Sequence, residues 1–364
     1  MNLILTAKKQ KIRELTIYVE SGIGSCPFAC EYCFVAKRGE HRVMTRQTLM
    51  DCVDFLRRVC EKPKALRFFG TEPLTQFGLI QHARAYAPDL EISITTNGWL
   101  LNDERIQWLA DNDVRIYVYS IDGGPEHHKA RRTTDGRETW ERVAENFQKL
   151  LPSQGKWITA RGTWAPNNGD YDLVGRFRAL EEIGATSIQI VPALGAPGWD
   201  ERQVAKAYME LADYYSGGNC PSRFIRQALT RLESGKQNYQ GNKCNAGKFA
   251  WGVDPVGNLH LCHNEVEMDE WRVGNVYSMD VNESAIALSK RIDRFSIDRP
   301  ECLSCHARNL CMGVGFCACE NLRHTGDVIV PTEGYCKHLR GFTTGMQYWL
   351  SLRQKKTIAT WLTA

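Results

Sequence analysis

The sequence predicts an α/β fold: an open, partial (β/α)6 barrel of the TIM type, followed by a cysteine-rich C-terminal domain. Three observations predict it. Six short β-rich runs alternate with helical stretches between residues 15 and 195, each run ends in a polar or glycine-rich loop, and from Cys244 onward short glycine-rich pieces are punctuated by cysteines. Strands alternating with helices of this length form parallel βαβ units. Six units are too few to close an eight-stranded barrel.

The elements follow in order. "LTIYVES" (15–21) leads into a cysteine loop, and "ALRFFG" (65–70) ends at "TEPL". "LEISITTNG" (90–98), "VRIYVYSIDGG" (114–124), "KWITARGTW" (156–164) and "SIQIVPAL" (187–194) complete the six. Between them, "TRQTLMDCVDFLRRVCEK", "DERIQWLADN", "ETWERVAENFQKLL" and "DLVGRFRALEEIG" read as helices, several with apolar residues at i, i+3, i+4 and i+7. In a parallel barrel the loops after the strands converge on one mouth, so the chemistry is expected there. Residues 200–243 read as two helices broken by "SGGNCPS", and "VDPVGNLHLC" as a hairpin around Val256, Gly257 and Asn258. The expected domains are a barrel over 13–200, a helical linker over 201–243, a cysteine-rich domain over 244–340 and an amphipathic C-terminal helix over 341–364.

The net charge of +4 is mild and dispersed, so no nucleic-acid partner is expected. No run of eighteen apolar residues occurs, so no membrane span is expected. The opening "MNLILTAKKQKIREL" is too short in its apolar part for a signal peptide, which predicts a cytoplasmic protein.

Fourteen cysteines depart from ordinary composition. Without an export signal, and in a chain this large, they point to metal or cluster ligation rather than disulfides. Three lie at 26–33 and eight between Cys244 and Cys336; Cys52, Cys60 and Cys220 stand alone and read as small buried hydrophobes. "GSCPFACEYCFVAK" (24–37) spaces Cys26, Cys30 and Cys33 as CxxxCxxC, with no further cysteine before Cys52. An iron–sulfur cluster normally takes four thiolates. Three leave one metal open, which is what a centre acting on a substrate needs. Zinc completed by His41 is the competing reading, and it leaves the aromatic Tyr32 unexplained.

"CPFACEYCF" resembles the CxxxCxΦC signature of radical S-adenosylmethionine (SAM) enzymes, with Tyr32 as the aromatic Φ. The resemblance implies a 4Fe–4S cluster on Cys26, Cys30 and Cys33 whose open iron is chelated by the amino and carboxylate groups of SAM. One electron then cleaves the sulfonium to methionine and a 5′-deoxyadenosyl radical. "FFGTEPL" resembles the family's GGEP motif with Thr71 in place of the second glycine, which implies that Gly70, Thr71 and Glu72 meet the SAM amino group. An ammonium group wants carbonyl and carboxylate acceptors. Read without the resemblance, the same stretch is a strand-ending turn with Pro73 starting a helix. "SIDGG" matches the ribose-contact region and implies roles for Ser120 and Asp122, while Thr96 and Asn97 of "TTNG" end the neighbouring strand at the same mouth. Arg161 stands where the family often sets an arginine against the methionine carboxylate; a surface salt bridge is its alternative.

"CNAGKFAWGVDPVGNLHLC" and "CLSCHARNLC", with Cys336, closely resemble the SPASM extension, which holds two auxiliary 4Fe–4S clusters. The resemblance implies Cys302, Cys305, Cys311 and Cys336 on one cluster, and Cys244 and Cys262 with Cys317 or Cys319 on the other. The pattern's next cysteine falls at Gly315, so Cys317 or Cys319 must serve, the fourth ligand being the other of that pair or Cys220. Zinc-ribbon pairs are the alternative. "SIDGGPEHHKARR" resembles the SxDGPxxxHDxxR run of peptide maturases, with an extra glycine and His128-Lys129 where His-Asp is usual; His127 and His128 have a pKa suited to acid–base work and are not assigned a role.

The function expected is therefore SAM-dependent radical modification of a peptide or protein by thioether formation, a carbon–carbon crosslink or another oxidative maturation, as in ribosomal-peptide maturases. An external one-electron donor of the flavodoxin or ferredoxin type is implied. Formylglycine formation of the anaerobic sulfatase-maturase kind is an alternative, made less fitting because those enzymes carry an aspartate where this chain has His263. A small-molecule natural-product precursor and a non-catalytic iron–sulfur or zinc-binding protein are the others. With the first strand near residue 15, no N-terminal leader-binding domain is expected, and leader recognition would fall to the barrel mouth, the tail or a separate protein.

Overall fold

The computed structural model describes residues 2–33, 39–166, 169–193, 195–235, 244, 246–266, 268–293, 300–311 and 317–363. Gly315 therefore lies outside the described residues. The strands are β1 (Glu14–Tyr18), β2 (Glu20–Ser21), β3 (Arg42–Val43), β4 (Ala65–Phe69), β5 (Glu91–Thr96), β6 (Val114–Ser120), β7 (Thr159–Trp164), β8 (Ile188–Pro192), β9 (Ala250–Val253), β10 (Asn258–His260) and β11 (Arg272–Asn275). All six expected strands are present, and the fold is a partial barrel of the expected α/β class. The chain divides into two compact units, one of Met1–Ile121, His128–Thr159 and Asn245–Arg291, the other of Asp122–His127, Ala160–Cys244 and Ile292–Ala364.

In the first unit the strand order is β11-β10-β9-β1-β4-β5-β6. β1 pairs in parallel with β4 and with β9, β4 with β5, and β5 with β6. β1 and β5 are buried almost throughout, as parallel strands covered on both faces must be. The helix Arg46–Val59 shows how sequence sets the packing. Thr45 caps it, its Oγ1 accepting the Thr48 N–H at 3.0 Å, and Leu49, Cys52, Val53, Leu56 and Val59 bury one stripe. Cys52 is thus core, as its isolation suggests. The hairpin expected near Val256 forms, with Leu259 opposite Val253 in the antiparallel β9–β10 pair. An unexpected helix, Leu3–Lys9, is capped by Asn2, whose Oδ1 accepts the Ile4 N–H at 2.9 Å.

In the second unit β7 and β8 pair in parallel from Ala160 opposite Ile188 to Trp164 opposite Pro192. The two helices expected over 200–243 are Glu201–Tyr214 and Arg223–Glu233. The C-terminal helix, Glu333–Thr363, begins earlier than its amphipathic pattern suggests and takes in Cys336. It packs on Glu201–Tyr214 through Gly345, where a Cβ would lie 2.3 Å from Tyr208 Cβ. Trp164, Tyr208, Phe342 and Trp349 are buried in this unit. Among the described residues no helix is long and apolar enough to cross a membrane.

Candidate functional site

The cysteine loop is fastened by its backbone. Ala29 N–H donates to Arg132 O at 2.8 Å, Glu31 N–H to Ala130 O at 3.1 Å and Thr134 N–H to Pro27 O at 2.9 Å, with a bridge between Phe28 and Thr133. Tyr32 lies under the guanidinium of the buried Arg131, 5.4 Å from the ring centroid. The aromatic of the loop thus has a partner about a hundred residues away, in the "KARR" run, a contact that no local pattern encodes. Cys30 is buried; Cys26 and Cys33 are half-buried. The Phe28 N–H points at Cys26 Sγ at 3.4 Å, and the Asn97 amide at the same sulfur at 3.7 Å. Burial, then the charge of Glu72 and those of Cys30 and Cys33, pushes the Cys26 thiol pKa up.

Gly70 ends β4 with φ +123°, and a Cβ there would meet the Tyr18 ring at 2.5 Å. Only glycine fits beneath that ring. Thr71, the departure from the family motif, is accommodated: its hydroxyl donates to Glu20 O at 3.4 Å. Glu72 is turned inward. Its carboxylate accepts the Leu74 N–H at 3.1 Å, the Thr96 hydroxyl at 2.8 Å and the Asn97 N–H at 2.7 Å. Burial raises its pKa to about 7 against the pull of those bonds and of Arg105. Glu72 therefore ties the end of β4 to the end of β5, and it also caps Pro73–Gln76, a 3-10 turn that leads into the helix Phe77–Tyr86. The strand-ending turn read in "GTEPL" forms, and its carboxylate ties together the ends of two strands.

Sequence reading missed Glu20. It is buried, and its carboxylate accepts from the Thr75 hydroxyl and the Gln76 amide, each at 2.6 Å, with His41 Nε2 3.8 Å away. A glutamate closing the apolar run of the first strand was the available signal. His263 is placed over β4: its ring meets Phe69 edge-on at 4.8 Å and its carbonyl accepts from the Tyr18 hydroxyl. The adjacent Cys262 sulfur accepts the Asn264 N–H at 3.4 Å, and Cys33 packs with Phe69 against Tyr18 and Val266. Ser120 is the half-buried last residue of β6.

In the second unit, Asp122 is fully buried; its Oδ1 accepts the Thr163 N–H at 2.8 Å and its carbonyl accepts from Arg176 at 2.9 Å. One oxygen of this ribose candidate thus anchors the strand that carries Arg161. Arg161 is half-buried, opposite Gln189. His127 Nε2 lies 3.3 Å from Asp172, and burial, then Arg176, lowers its pKa. His128, in the first unit, is buried.

Part of the second thiol set is held by its own backbone. Cys305 N–H donates to Cys302 O at 3.3 Å, and Cys311 N–H to Ala307 O at 2.8 Å. Burial raises the Cys336 pKa to about 11, and Cys311, Cys302 and Cys305 all add to the rise. Cys317 and Cys319 are buried partners whose thiol–thiol hydrogen bond lowers Cys317 to about 7. Cys244 is half-buried. Cys220 is buried with Ser222, Arg226 and Arg353 acting on it. Among the described residues no three His, Cys, Asp or Glu side chains are gathered to hold a metal ion. Cys302, Cys305 and Cys311 are near enough for their charges to act on Cys336, which suits ligands at the corners of a multi-iron cluster. On donor chemistry, three thiols in one hydrogen-bonded loop, with Cys26 receiving the Phe28 N–H and the Asn97 amide, fit a 4Fe–4S cluster with one free iron.

Residues 21–160 match the Radical SAM superfamily. The chain is 23% identical to the cysteine-type anaerobic sulfatase-maturating enzyme of Clostridium perfringens, over 90% of this chain and 95% of that one. It is 20% identical to the radical SAM cyclopropyl synthase TigE of Paramaledivibacter caminithermalis, over 90% and 72%. The solved structure of native anSMEcpe with bound AdoMet and Cp18Cys peptide superimposes with a TM-score of 0.71 at 19% identity, covering 96% of this chain and 99% of that one. The chain carries a radical SAM domain and is an enzyme whose relatives include anaerobic sulfatase maturases and a mycofactocin maturase. The cofactors of such a domain are SAM and a 4Fe–4S cluster.

Proposed function

We infer that this enzyme abstracts hydrogen from a peptide or protein and converts the resulting radical into a crosslink or another oxidised product. The observation that supports the reading best is the three-thiol loop pinned beside the ends of β4 and β5, with Glu72 and Asn97 joining the two. In this reading Cys26, Cys30 and Cys33 hold the cluster, and the backbone at Gly70 and Thr71, with Ser120, Asp122 and Arg161, holds SAM. When bound there, the cluster and SAM supply a 5′-deoxyadenosyl radical. The chain's own contribution is to bind and to exclude water. Glu72 keeps the mouth rigid from behind rather than reaching into it, so recognition of the SAM ammonium falls to backbone carbonyls beside Gly70. Cys302, Cys305, Cys311 and Cys336 hold one auxiliary cluster; Cys244, Cys262, Cys317 and Cys319 serve the other. A flavodoxin- or ferredoxin-type protein supplies the electron.

A peptide substrate is favoured because anSMEcpe, which matches this chain over 96% of its length, is solved with a bound peptide. Formylglycine formation is the second reading, favoured by that same neighbour. Against it stands His263, fixed edge-on to Phe69 where sulfatase maturases carry an aspartate. The test is anaerobic reconstitution with iron and sulfide, then dithionite, SAM and candidate peptides. The expected result is 5′-deoxyadenosine together with a peptide mass lowered by lost hydrogens. SAM left intact by fully iron-loaded protein would sink the enzyme reading, and formylglycine in a sulfatase-derived peptide would decide for the second one.

A further inference from the structure

The cysteine loop is zipped at its base. Glu20 pairs with Val43 and Ser21 with Arg42 across β2 and β3, the Ile23 N–H donates to Gly39 O at 3.3 Å, and a Cβ on Gly22 would lie 2.2 Å from Glu40 O. From that base the Glu20 side chain turns into the protein, where the residue is 6% exposed. Burying a carboxylate is costly unless donors meet it. Among the described residues, the donors at hydrogen-bond distance come from one place, the turn Pro73–Gln76. The Gln76 amide donates at 2.6 Å, and the Thr75 hydroxyl, also 2.6 Å away, is shared with Glu72 O at 2.7 Å. Thr71, which replaces the second glycine of the related motif, adds a bond from its hydroxyl to the Glu20 carbonyl at 3.4 Å. At the loop's other end His41 Nε2 stands 3.8 Å from the carboxylate.

Neither segment needs this contact for its own fold. Glu72 already caps the turn, accepting the Leu74 N–H at 3.1 Å, and backbone pairing already closes the loop. What the Glu20 contact adds is a fixed distance between the two. A buried, charge-assisted bond holds such a distance more firmly than a neutral one. The cysteine loop carries the proposed cluster ligands, and Gly70 and Thr71 the proposed contacts to SAM, so one small molecule must span both. We propose that Glu20 is a positioning residue: through Gln76 and Thr75 it sets the turn after β4 at the separation from the cysteine loop that SAM bridges. Thr71 serves the same tie from the backbone side. The inference rests on SAM binding at Gly70 and Thr71 beside the cluster.

The experiment uses the full, iron-loaded, dithionite-reduced chain. SAM binding is read from the change it causes in the electron paramagnetic resonance spectrum of the reduced cluster, alongside KM and kcat for 5′-deoxyadenosine release. Glu20→Ala should raise the half-saturating SAM concentration and KM by about tenfold or more, as the loss of a hydrogen bond to a charged group implies. The loss should fall on KM, with kcat at saturating SAM within about twofold of wild type. Glu20→Gln should restore binding, because the Gln76 amide can turn over and accept from the new NH2 group while Thr75 still donates. Thr75→Val/Gln76→Leu should reproduce Glu20→Ala, and adding Glu20→Ala to that pair should cost nothing more. If Glu20→Ala fails to hold iron, Thr75→Val/Gln76→Leu against Glu20→Gln makes the same comparison, with weak binding expected only in the former. SAM binding by Glu20→Ala equal to wild type overturns the proposal. So does a fall in kcat with KM unchanged, the mark of a smaller folded fraction. An additive loss in the triple variant also overturns it, since Glu20 would then act on SAM itself rather than through the turn, and so does Glu20→Gln as defective as Glu20→Ala. Iron-loaded wild type whose spectrum ignores SAM refutes the SAM reading itself, whereas a responsive wild type beside an equally responsive Glu20→Ala refutes the role of Glu20 alone.

Discussion

Two thiol sets in this molecule are assembled by different means. Cys26, Cys30 and Cys33 sit in a loop whose backbone pairs with residues 130–134, beside the ends of a buried parallel sheet. Cys302, Cys311 and Cys336 come from the short helices Pro300–Leu303 and Arg308–Cys311 and from the long helix Glu333–Thr363, with Cys305 between the first two. Cys302, Cys305 and Cys311 lie where apolar burial is thin, and Leu303 between them is 53% exposed. The contrast teaches that the first set is fastened by backbone bonds to a segment about a hundred residues away, whereas the second has only short-range ones and so leans more on its ligand for its order. A rigid loop suits a centre that must present an open iron reproducibly; a ligand-dependent one suits a cluster that is fully held.

The largest effect should come from Cys26→Ala. SAM cleavage, read as 5′-deoxyadenosine, is expected to fall to background, with the thermal midpoint of the iron-loaded protein nearly unchanged. A midpoint shift as large as the activity loss would erase the contrast. Gly70→Ala comes next. The new Cβ would collide with the Tyr18 ring at 2.5 Å, and that ring is tethered through its hydroxyl to His263 O. A loss of about 2–4 kcal/mol in urea unfolding is expected, together with weakened SAM binding.

Cys336→Ala sharpens the other side of the comparison. The iron-loaded variant should melt roughly 2–4 °C below wild type, equivalent to about 1 kcal/mol, while the two iron-free proteins melt together. Equal melting of the loaded proteins would mean that this cluster adds nothing to stability. The smallest effect concerns His338, buried among Trp164, Trp199 and Tyr208 with its pKa lowered to about 3 by burial. Because the folded chain resists that proton and the unfolded chain accepts it, stability is lost as pH falls from about 6.5 toward 3. His338→Phe keeps the ring and removes the titration, so its stability should exceed wild type increasingly over that window. Parallel acid limbs for the two proteins would show that His338 is not the group responsible.

Much of this was legible in the sequence for a physical reason. Strand and helix periods are local, so "LEISITTNG" and "DLVGRFRALEEIG" announce β5 and the helix Leu173–Glu182 without help from distant residues. The same holds for CxxxCxxC, whose ligands share one loop. The helix Leu3–Lys9 escaped because its seven residues are stabilised by packing and an Asn2 cap rather than by a long periodic pattern.

What tertiary structure alone decided are the pairings between residues far apart in the chain. Tyr32 is covered by Arg131, Glu72 reaches Thr96 and Asn97, Tyr18 forces glycine at position 70, and Asp122 grips the backbone of β7. The sequence by itself determined the order of the strands and which loops carry the thiols. It could not say which carboxylate faces the mouth and which braces it from behind. That choice depends on buried hydrogen-bond partners brought in by other strands, and no local period encodes those.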